Sequence, residues 1–539
     1  MTRILDLADI QGNVLRPYGR MGFPKARFIF LHIADAAAGR DFVWKLLPKI
    51  TTSTRWESKE AYPGEVIQRR PEVTFNLAFT FYGLVALDLP TATLAQMPAE
   101  FIDGMAERAN ILGDLRGGNA QQAWDPIWQN STGDAKVHVM VSLNAQMHHD
   151  GTPIAALATA TAHVMALAEA SGGKVRVLPG HGPDNALYQD SGALLEAAAD
   201  GKLLPTAKEH FGFTDGFGDP VFDGQYPAAE ISAEAVGGGK ILPDQSWGPL
   251  ATGEFLLGHP DEAQEIPGGL LPPEFARNGT FMAYRKLQEN VGAFQDYIAR
   301  TAVLYDRVMG LGDVEAAREI LMAKIAGRWS DGVPLMAAPT FTEWRAFQVR
   351  EAAATKAGDK ATLAAIERSY VDFKYRADPA GLRCPVGAHM RRANTRDMLD
   401  PSANSTHPKD WNGSVLNNRR RVLRRGLPYG PTDRSVALNG EQGIIFLALC
   451  ASLFRQFEFV QQQWMQYGLD FNLGNDTCPL VGNHGEAAKF VIAADPAGDK
   501  PPFICDRPPQ FVETRGGDYF FIPSMTALRM IAMGTVDPT

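Results

Sequence analysis

Residues 26–33 (ARFIFLHI) form a short apolar run rich in aromatics, and 73–81 (VTFNLAFTF) alternate well, so both stretches predict strands. Between them Phe42, Leu46 and Leu47 fall at helical spacing within 41–50. A helical insert is expected over about 91–115. After it, 136–145 (KVHVMVSLNA) reads as a third strand, 153–170 as an Ala-rich helix and 174–178 (KVRVL) as a fourth strand. With the insert set aside the order is β-α-β-β-α-β, the ferredoxin-like split βαβ arrangement. An antiparallel sheet of this kind packs helices on one face and leaves the other free for something else.

The second half repeats the pattern less cleanly. Residues 280–286 predict a strand, 290–304 a helix, 443–450 (GIIFLALC) a strand, 453–465 a helix and 518–522 a last strand. Residues 314–376 are mostly helical, with Ala- and charge-rich stretches of the kind expected from a solvated surface insertion. No short-period repeat is present, which excludes a solenoid or propeller. The expected fold is therefore α+β. Two ferredoxin-like halves, 1–225 and 226–539, would make it up, with a helical insertion at about 305–380 in the second.

Length and composition constrain this picture. At roughly 150 residues per domain, 539 residues suggest three or four units, whereas the element pattern reduces them to two related halves swollen by insertions. A content of 45% hydrophobic residues, with 29 Phe and 9 Trp, supplies a large core and excludes a disordered chain. The net charge of -9 argues against nucleic acid or an anionic membrane surface as partner. Cys384, Cys450, Cys478 and Cys505 are scattered without a CxxC pair, which argues against a zinc site and a disulfide framework. The start, MTRILDLADIQGN, lacks the pattern of a signal peptide, and the most apolar run, 443–454, is shorter than the roughly 20 residues of a membrane span. A soluble, cytoplasmic protein is expected, and either a monomer or a homodimer is compatible with the sequence.

Three segments carry candidate chemistry. In HFGFTDGFGDPVFDG (210–224), four glycines and three aspartates exclude a regular element and expose Asp215 in a tight loop; a plain Gly/Asp turn fits equally well. In CPVGAHMRRANTR (384–396), His389 stands just before Arg391, Arg392 and Arg396. One nitrogen ligand beside several guanidinium groups suits a metal cofactor bearing carboxylates, and haem, with an axial histidine and two propionates, answers that description. RRRVLRRGLPYG (419–430) is strongly basic and turns through Gly426 and Pro428. As a charge run it would be a solvated face; a single inward arginine would instead stabilise charge on a reacting oxygen.

Taken together these segments resemble the dye-decolorizing peroxidases. GFTDG (212–216) is similar to that family's GxxDG signature, CPVGAHMRRANTR to the segment with its haem-ligating histidine, and RRGLPYG to the stretch with its distal arginine. DIQGNVLRPYGR, FNLAFTFYGLVAL, GEFLLGHP, RNGTFMAYRKL and RQFEFVQQQWM look like further family segments in family order. They cover nearly the whole chain, and the length matches the long bacterial class with helical insertions.

The resemblance implies a peroxidase with one haem b per chain, held between two ferredoxin-like halves, that uses hydrogen peroxide to oxidise phenolic, dye-like or other organic reductants in one-electron steps. Its alternative is a haem carrier or iron-releasing haem-handling protein, which would not need an acid–arginine pair. His389 matches the iron ligand, Asp215 the distal acid-base residue and Arg424 the distal arginine. Arg391 and Arg396, with Arg392 behind them, match propionate partners, while Ile444 and Phe446 match the apolar cover of the distal face. Glu458 is a candidate carboxylate behind His389. A distal carboxylate that changes protonation implies an acidic optimum. Two departures stand out: Gly218-Asp219-Pro220 where a Ser-Gln-Pro-like stretch is common, and Thr395 where a proline is usual.

Overall fold

The computed structural model describes residues 5–56, 67–114, 124–129, 133–198, 201–268, 272–402, 405–431 and 440–536. The first half builds a sheet from β1 (Lys25–Ile33), β2 (Val73–Phe79), β3 (Val139–Ala145) and β4 (Val175–Val177), with β5 (Gln189–Gly192) added to β1. The order β2-β3-β1-β4 is antiparallel throughout, as the split βαβ pattern requires. Helix α1 (Ala36–Leu46) starts where the Asp35 carboxylate accepts the Ala38 N–H, a side-chain N-cap. It begins five residues earlier than its apolar spacing suggests, because the capping aspartate and not the first apolar residue fixes its start. Helix α2 (Ala155–Glu169) buries Leu157, Ala160, Thr161, Val164 and Ala168, one face at helical spacing. The expected insert over 91–115 consists of short turns at Thr91–Leu94, Ala99–Asp103 and Ala109–Leu112, and its last residue lies outside the described set.

The second half repeats the topology with β6 (Thr280–Glu289), β7 (Leu423–Tyr429), β8 (Gly443–Cys450) and β9 (Val512–Ile522) in the order β7-β8-β6-β9. Strand β7 lies where the sequence predicts only a charge run and a turn. Its place at the edge of the sheet explains how it tolerates that composition. Pro428 costs no ladder bond on an open side, and alternate arginines can direct their heads to opposite faces. Gly426, at φ +124°, is required, since a Cβ there would collide with the Ile445 carbonyl oxygen. The segments Leu453–Glu458 and Val460–Met465 wind as a π-helix. Strand β9 starts six residues before the expected 518. A register shift opposite Lys286 and Leu287 and two adjacent glycines, Gly516 and Gly517, hide its beginning.

Helices α3 (Val291–Met309), α4 (Val314–Ala326), α5 (Phe341–Ala357), α6 (Lys360–Ser369) and the short α7 (His389–Ala393) lie between β6 and β7. This insertion is more than a solvated surface. Trp329 and Trp344 stack at 4.6 Å over a buried cluster that includes Phe347, Ile366 and Tyr375. A final helix, α8 (Met525–Met533), absent from the sequence expectation, starts at the Ser524 cap and packs on α1 of the first half. The two sheets join through the Phe79–Phe521 pairing of β2 with β9, and the joined sheet curls until β7 lies beside β5. One continuous apolar core, with Phe28 and Phe30 against Tyr284 and Phe520, spans both halves. Among the described residues no helix is long and apolar enough to cross a membrane.

Candidate active site between the second sheet and the histidine loop

A cavity of about 380 Å³ lies between the β7–β8 hairpin and the 384–396 segment, within the size range of cofactor sites. The two-residue period of the paired strands places Arg424, Ile444 and Phe446 on its wall together. Arg425, on the alternate side of β7, donates instead to both oxygens of Asp219 and to the Asn13 and Val14 carbonyls. Asp219, the unexpected aspartate of the glycine loop, is thereby committed to holding β7.

Local hydrogen bonds fix the loop that carries Asp215. The Glu209 carboxylate accepts the N–H groups of Phe211 and Phe213 at 2.7 and 2.8 Å. Asp215 N–H donates to Ala207 and Thr214 to the Ser330 carbonyl. Asp215 Oδ1 then accepts Arg424 Nη1 at 3.0 Å and the Gly216 N–H at 2.5 Å, so Oδ2 is its oxygen left over. Both side chains keep 41–49% of their surface accessible, and that surface faces cavities walled by protein. Burial alone would raise the Asp215 carboxyl, but Arg424, the Gly216 N–H and Arg20 hold it below the ordinary carboxylate range. Asp215 in turn raises Arg424. A larger cavity of about 660 Å³ shares Asp215, Arg424, Ile444 and Phe446 with the first.

His389 lies at the first residue of α7 and lines the 380 Å³ cavity. Its Nδ1 is 3.3 Å from Cys478 Sγ, and its Nε2 has no hydrogen-bond partner among the described residues. Burial lowers the imidazole, yet Cys478 outweighs it and the net direction is upward. Burial correspondingly raises the Cys478 thiol, but His389 and Arg392 bring it down to about 7. Glu458, the expected carboxylate behind His389, is elsewhere: it accepts Arg108 Nε at 2.5 Å and the Tyr519 hydroxyl at 2.7 Å. It sits on the π-helix, whose wider turn aims it toward β9.

The arginines separate sharply. Arg396 lines the cavity and donates to the Val371 and Phe373 carbonyls. Arg391 does not: it is fully buried and donates to Asp378 and to the Cys384 carbonyl. Two helical residues turn about 200°, which sends Arg391 to the side of α7 opposite His389 and withdraws it as a propionate partner. Arg392 is likewise taken up by the carbonyls of Gly387, Trp464, Tyr467 and Asp476. Arg328, which carries no signal in the sequence, and Arg421, from the basic run at 419–425, join Arg396 on the cavity wall. None of the three forms an ion pair among the described residues, and burial with mutual repulsion brings Arg328 and Arg421 down to about 9 and Arg396, through burial alone, to about 10. Three buried cations without a carboxylate suit an anionic group, and a partnerless imidazole nitrogen suits a metal, so the donor set fits haem with its two propionates. Among the described residues no group of three or more His, Cys, Asp or Glu side chains is placed to hold a bare metal ion.

Arg20, also unforeseen, lies against Gly216 with its guanidinium 5.6 Å from the Phe217 ring centre. A lone arginine in a loop gives no signal in sequence. Phe217 stacks on Tyr370 at 5.1 Å, which fastens the glycine loop to the insertion.

Residues 9–176 match the family model described as the DyP dimeric alpha+beta barrel domain. The chain is 26% identical to a dye-decolorizing peroxidase of Mycena epipterygia over 98% of this chain and 87% of that protein. It is 27% identical to the multifunctional dye peroxidase DyP2 of Amycolatopsis, over 60% of this chain and 61% of that one. Among solved structures, an ancestral D-type dye decolorizing peroxidase superposes with a TM-score of 0.70 at 23% identity, covering 98% of this chain and 99% of that one. A decolorizing peroxidase from Auricularia auricula-judae gives 0.68 at 22%, with 98% and 100% covered. With two ferredoxin-like halves and relatives of one kind along nearly its whole length, the chain is similar throughout to the dye-decolorizing peroxidases, which supports a haem peroxidase of that kind.

Proposed function

We propose that residues 1–225 and 226–539 together hold one haem b in the 380 Å³ cavity, with His389 Nε2 as iron ligand and Arg328, Arg396 and Arg421 facing the propionates. Hydrogen peroxide would be the oxidant, and phenolic, dye-like or other organic molecules the one-electron reductants; one solved relative was captured with 2,6-dimethoxyphenol. When bound, haem supplies the redox-active iron at which peroxide is reduced. The chain's own task is to move a proton and stabilise charge. Asp215, ionised by its neighbours, takes a proton from one peroxide oxygen at Oδ2 and returns it to the other as the O–O bond breaks. Arg424 stabilises the negative charge on the departing oxygen. Ile444 and Phe446 close the same wall with apolar surface, which strengthens both interactions by excluding water.

The Asp215–Arg424 pair, on the same cavity wall as a partnerless His389 Nε2, carries this reading over haem transport, which requires no such pair. Haem titration of the full chain tests it. A ferric Soret band is expected, and His389→Ala should lose the axial ligand signature and weaken haem retention. An unaltered spectrum in that variant removes His389 from the iron.

A further inference from the structure

The mechanism above leaves one buried contact unused. Cys478 is fully buried, and its sulfur lies 3.3 Å from His389 Nδ1. The contact is held by a built frame. Cys478 N–H donates to the Met465 carbonyl at 2.7 Å, and the Cys478 carbonyl accepts the Gly482 N–H at 3.0 Å and lies 3.0 Å from His484 Nε2. Arg392 clamps the two loops together. Its Nε donates to the Gly387 carbonyl, two residues before His389, and its Nη2 to the Asp476 carbonyl, two residues before Cys478. Independently, among the described residues His389 Nε2 has no hydrogen-bond partner, on a cavity wall that also carries three buried arginines without ion pairs, which marks the ligand on the other side of the ring.

A metal-bound histidine ordinarily donates its second N–H to a carboxylate, a carbonyl or water, and that partner fixes the tautomer and the basicity of the ring. Among the described residues no carboxylate is hydrogen-bonded to His389, and Glu458 is bound to Arg108 and Tyr519. We propose that Cys478 is a positioning residue for the peroxidase reaction. Its sulfur accepts the His389 Nδ1–H hydrogen bond, fixes the tautomer that presents the Nε2 lone pair to the cavity, and sets how strongly the imidazole donates to iron. The inference rests on His389 being the haem ligand.

The haem-loaded full chain, with Cys478→Ala, Cys478→Ser and Cys478→Asp, tests this. Two spectroscopic readouts report on the iron–imidazole bond: the haem reduction potential and the iron–imidazole stretching frequency of the ferrous protein. Cys478→Ala is expected to raise the potential and lower the frequency. Cys478→Asp is expected to move both the opposite way, and Cys478→Ser, which keeps the size and an acceptor, to fall between wild type and alanine. The peroxide reaction of the alanine variant should slow about 10- to 100-fold, the usual cost of losing such a partner. In the haem-free chain, ¹⁵N NMR should show the Nδ1–H tautomer of His389 lost in the alanine variant. If all three variants keep haem with wild-type potential and stretching frequency, the inference is overturned. His389→Ala separates the two failures. If it keeps the wild-type haem spectrum, the ligand reading fails and the inference with it. If it loses that spectrum while the Cys478 variants stay unshifted, only the inference fails.

Discussion

The two halves share one topology and use its free sheet face in opposite ways. In the first, the second strand of the repeat, β2, is buried at all seven positions, and its sheet contributes Phe28, Phe30 and Leu77 to a dry core. In the second, the equivalent strand, β7, is an edge carrying Arg424, Arg425, Gly426 and Pro428, and the neighbouring face opens onto the cavity. The difference arises largely from what stands between the first and second strands. About forty residues separate β1 from β2, but more than one hundred and thirty separate β6 from β7, enough for an insertion with its own core and the histidine segment to roof the cavity. Duplication thus supplied a scaffold in one copy and a site in the other.

Substitutions in the Asp215–Arg424 pair should show the largest effects, and only on chemistry. Asp215→Asn is expected to slow the reaction with peroxide about 10²–10⁴-fold and Arg424→Leu about 10²–10³-fold, while both keep haem and a wild-type melting temperature. Stopped-flow rates beside thermal scans check this; unchanged rates in both would free the pair from the mechanism. Because its neighbours hold Asp215 below the ordinary carboxylate range, the acid limb of the rate should lie at lower pH than an unpaired carboxylate would set, and Arg424→Leu should move it upward in pH–rate profiles.

The packed region should respond in the opposite sense. Phe30, fully buried among the rings of Trp128, His181 and Tyr284, should cost about 3–5 kcal/mol of stability as Phe30→Ala, read by denaturant unfolding, with little change in the rate per folded molecule. A smaller effect separates two arginines of one segment. Arg396→Leu should weaken haem retention on the order of tenfold, whereas Arg391→Leu, which strands Asp378, should lower stability first. Equal haem loss from both would restore Arg391 to the site.

The smallest contrast is in pH dependence. His138 and His181 are buried, and burial brings them to about 4 and 3. Their contribution is complete above 6.5 and is lost as pH falls toward those values, by about 1 kcal/mol per unit for each histidine crossed. At the cavity, burial pushes Glu209 up to about 7, with Glu289 also raised. That pair contributes most below 4.5 and loses its contribution as pH rises through 7. Melting curves from pH 4 to 8 should therefore show His181→Gln flattening the acid side and Glu209→Gln the neutral side.

By itself the sequence determined the repeated element order, the α+β class and the segments that carry chemistry, because periodicity and residue type are local properties. It placed Asp215, Arg424, His389, Ile444 and Phe446, which the tertiary structure brings to one cavity. It missed β7 because an edge strand tolerates residues that local propensity assigns to a charged turn. It also missed α8, whose partner α1 is nearly five hundred residues away. Tertiary structure alone decided the arginines and the partner of His389. Half a helical turn sent Arg391 away from the cavity, distant chain folded Arg328 and Arg421 onto it, and a loop ninety residues on set a sulfur, where a carboxylate was expected, behind the imidazole. Contacts between residues remote in sequence depend on how elements pack, and packing is written in no single segment of the chain.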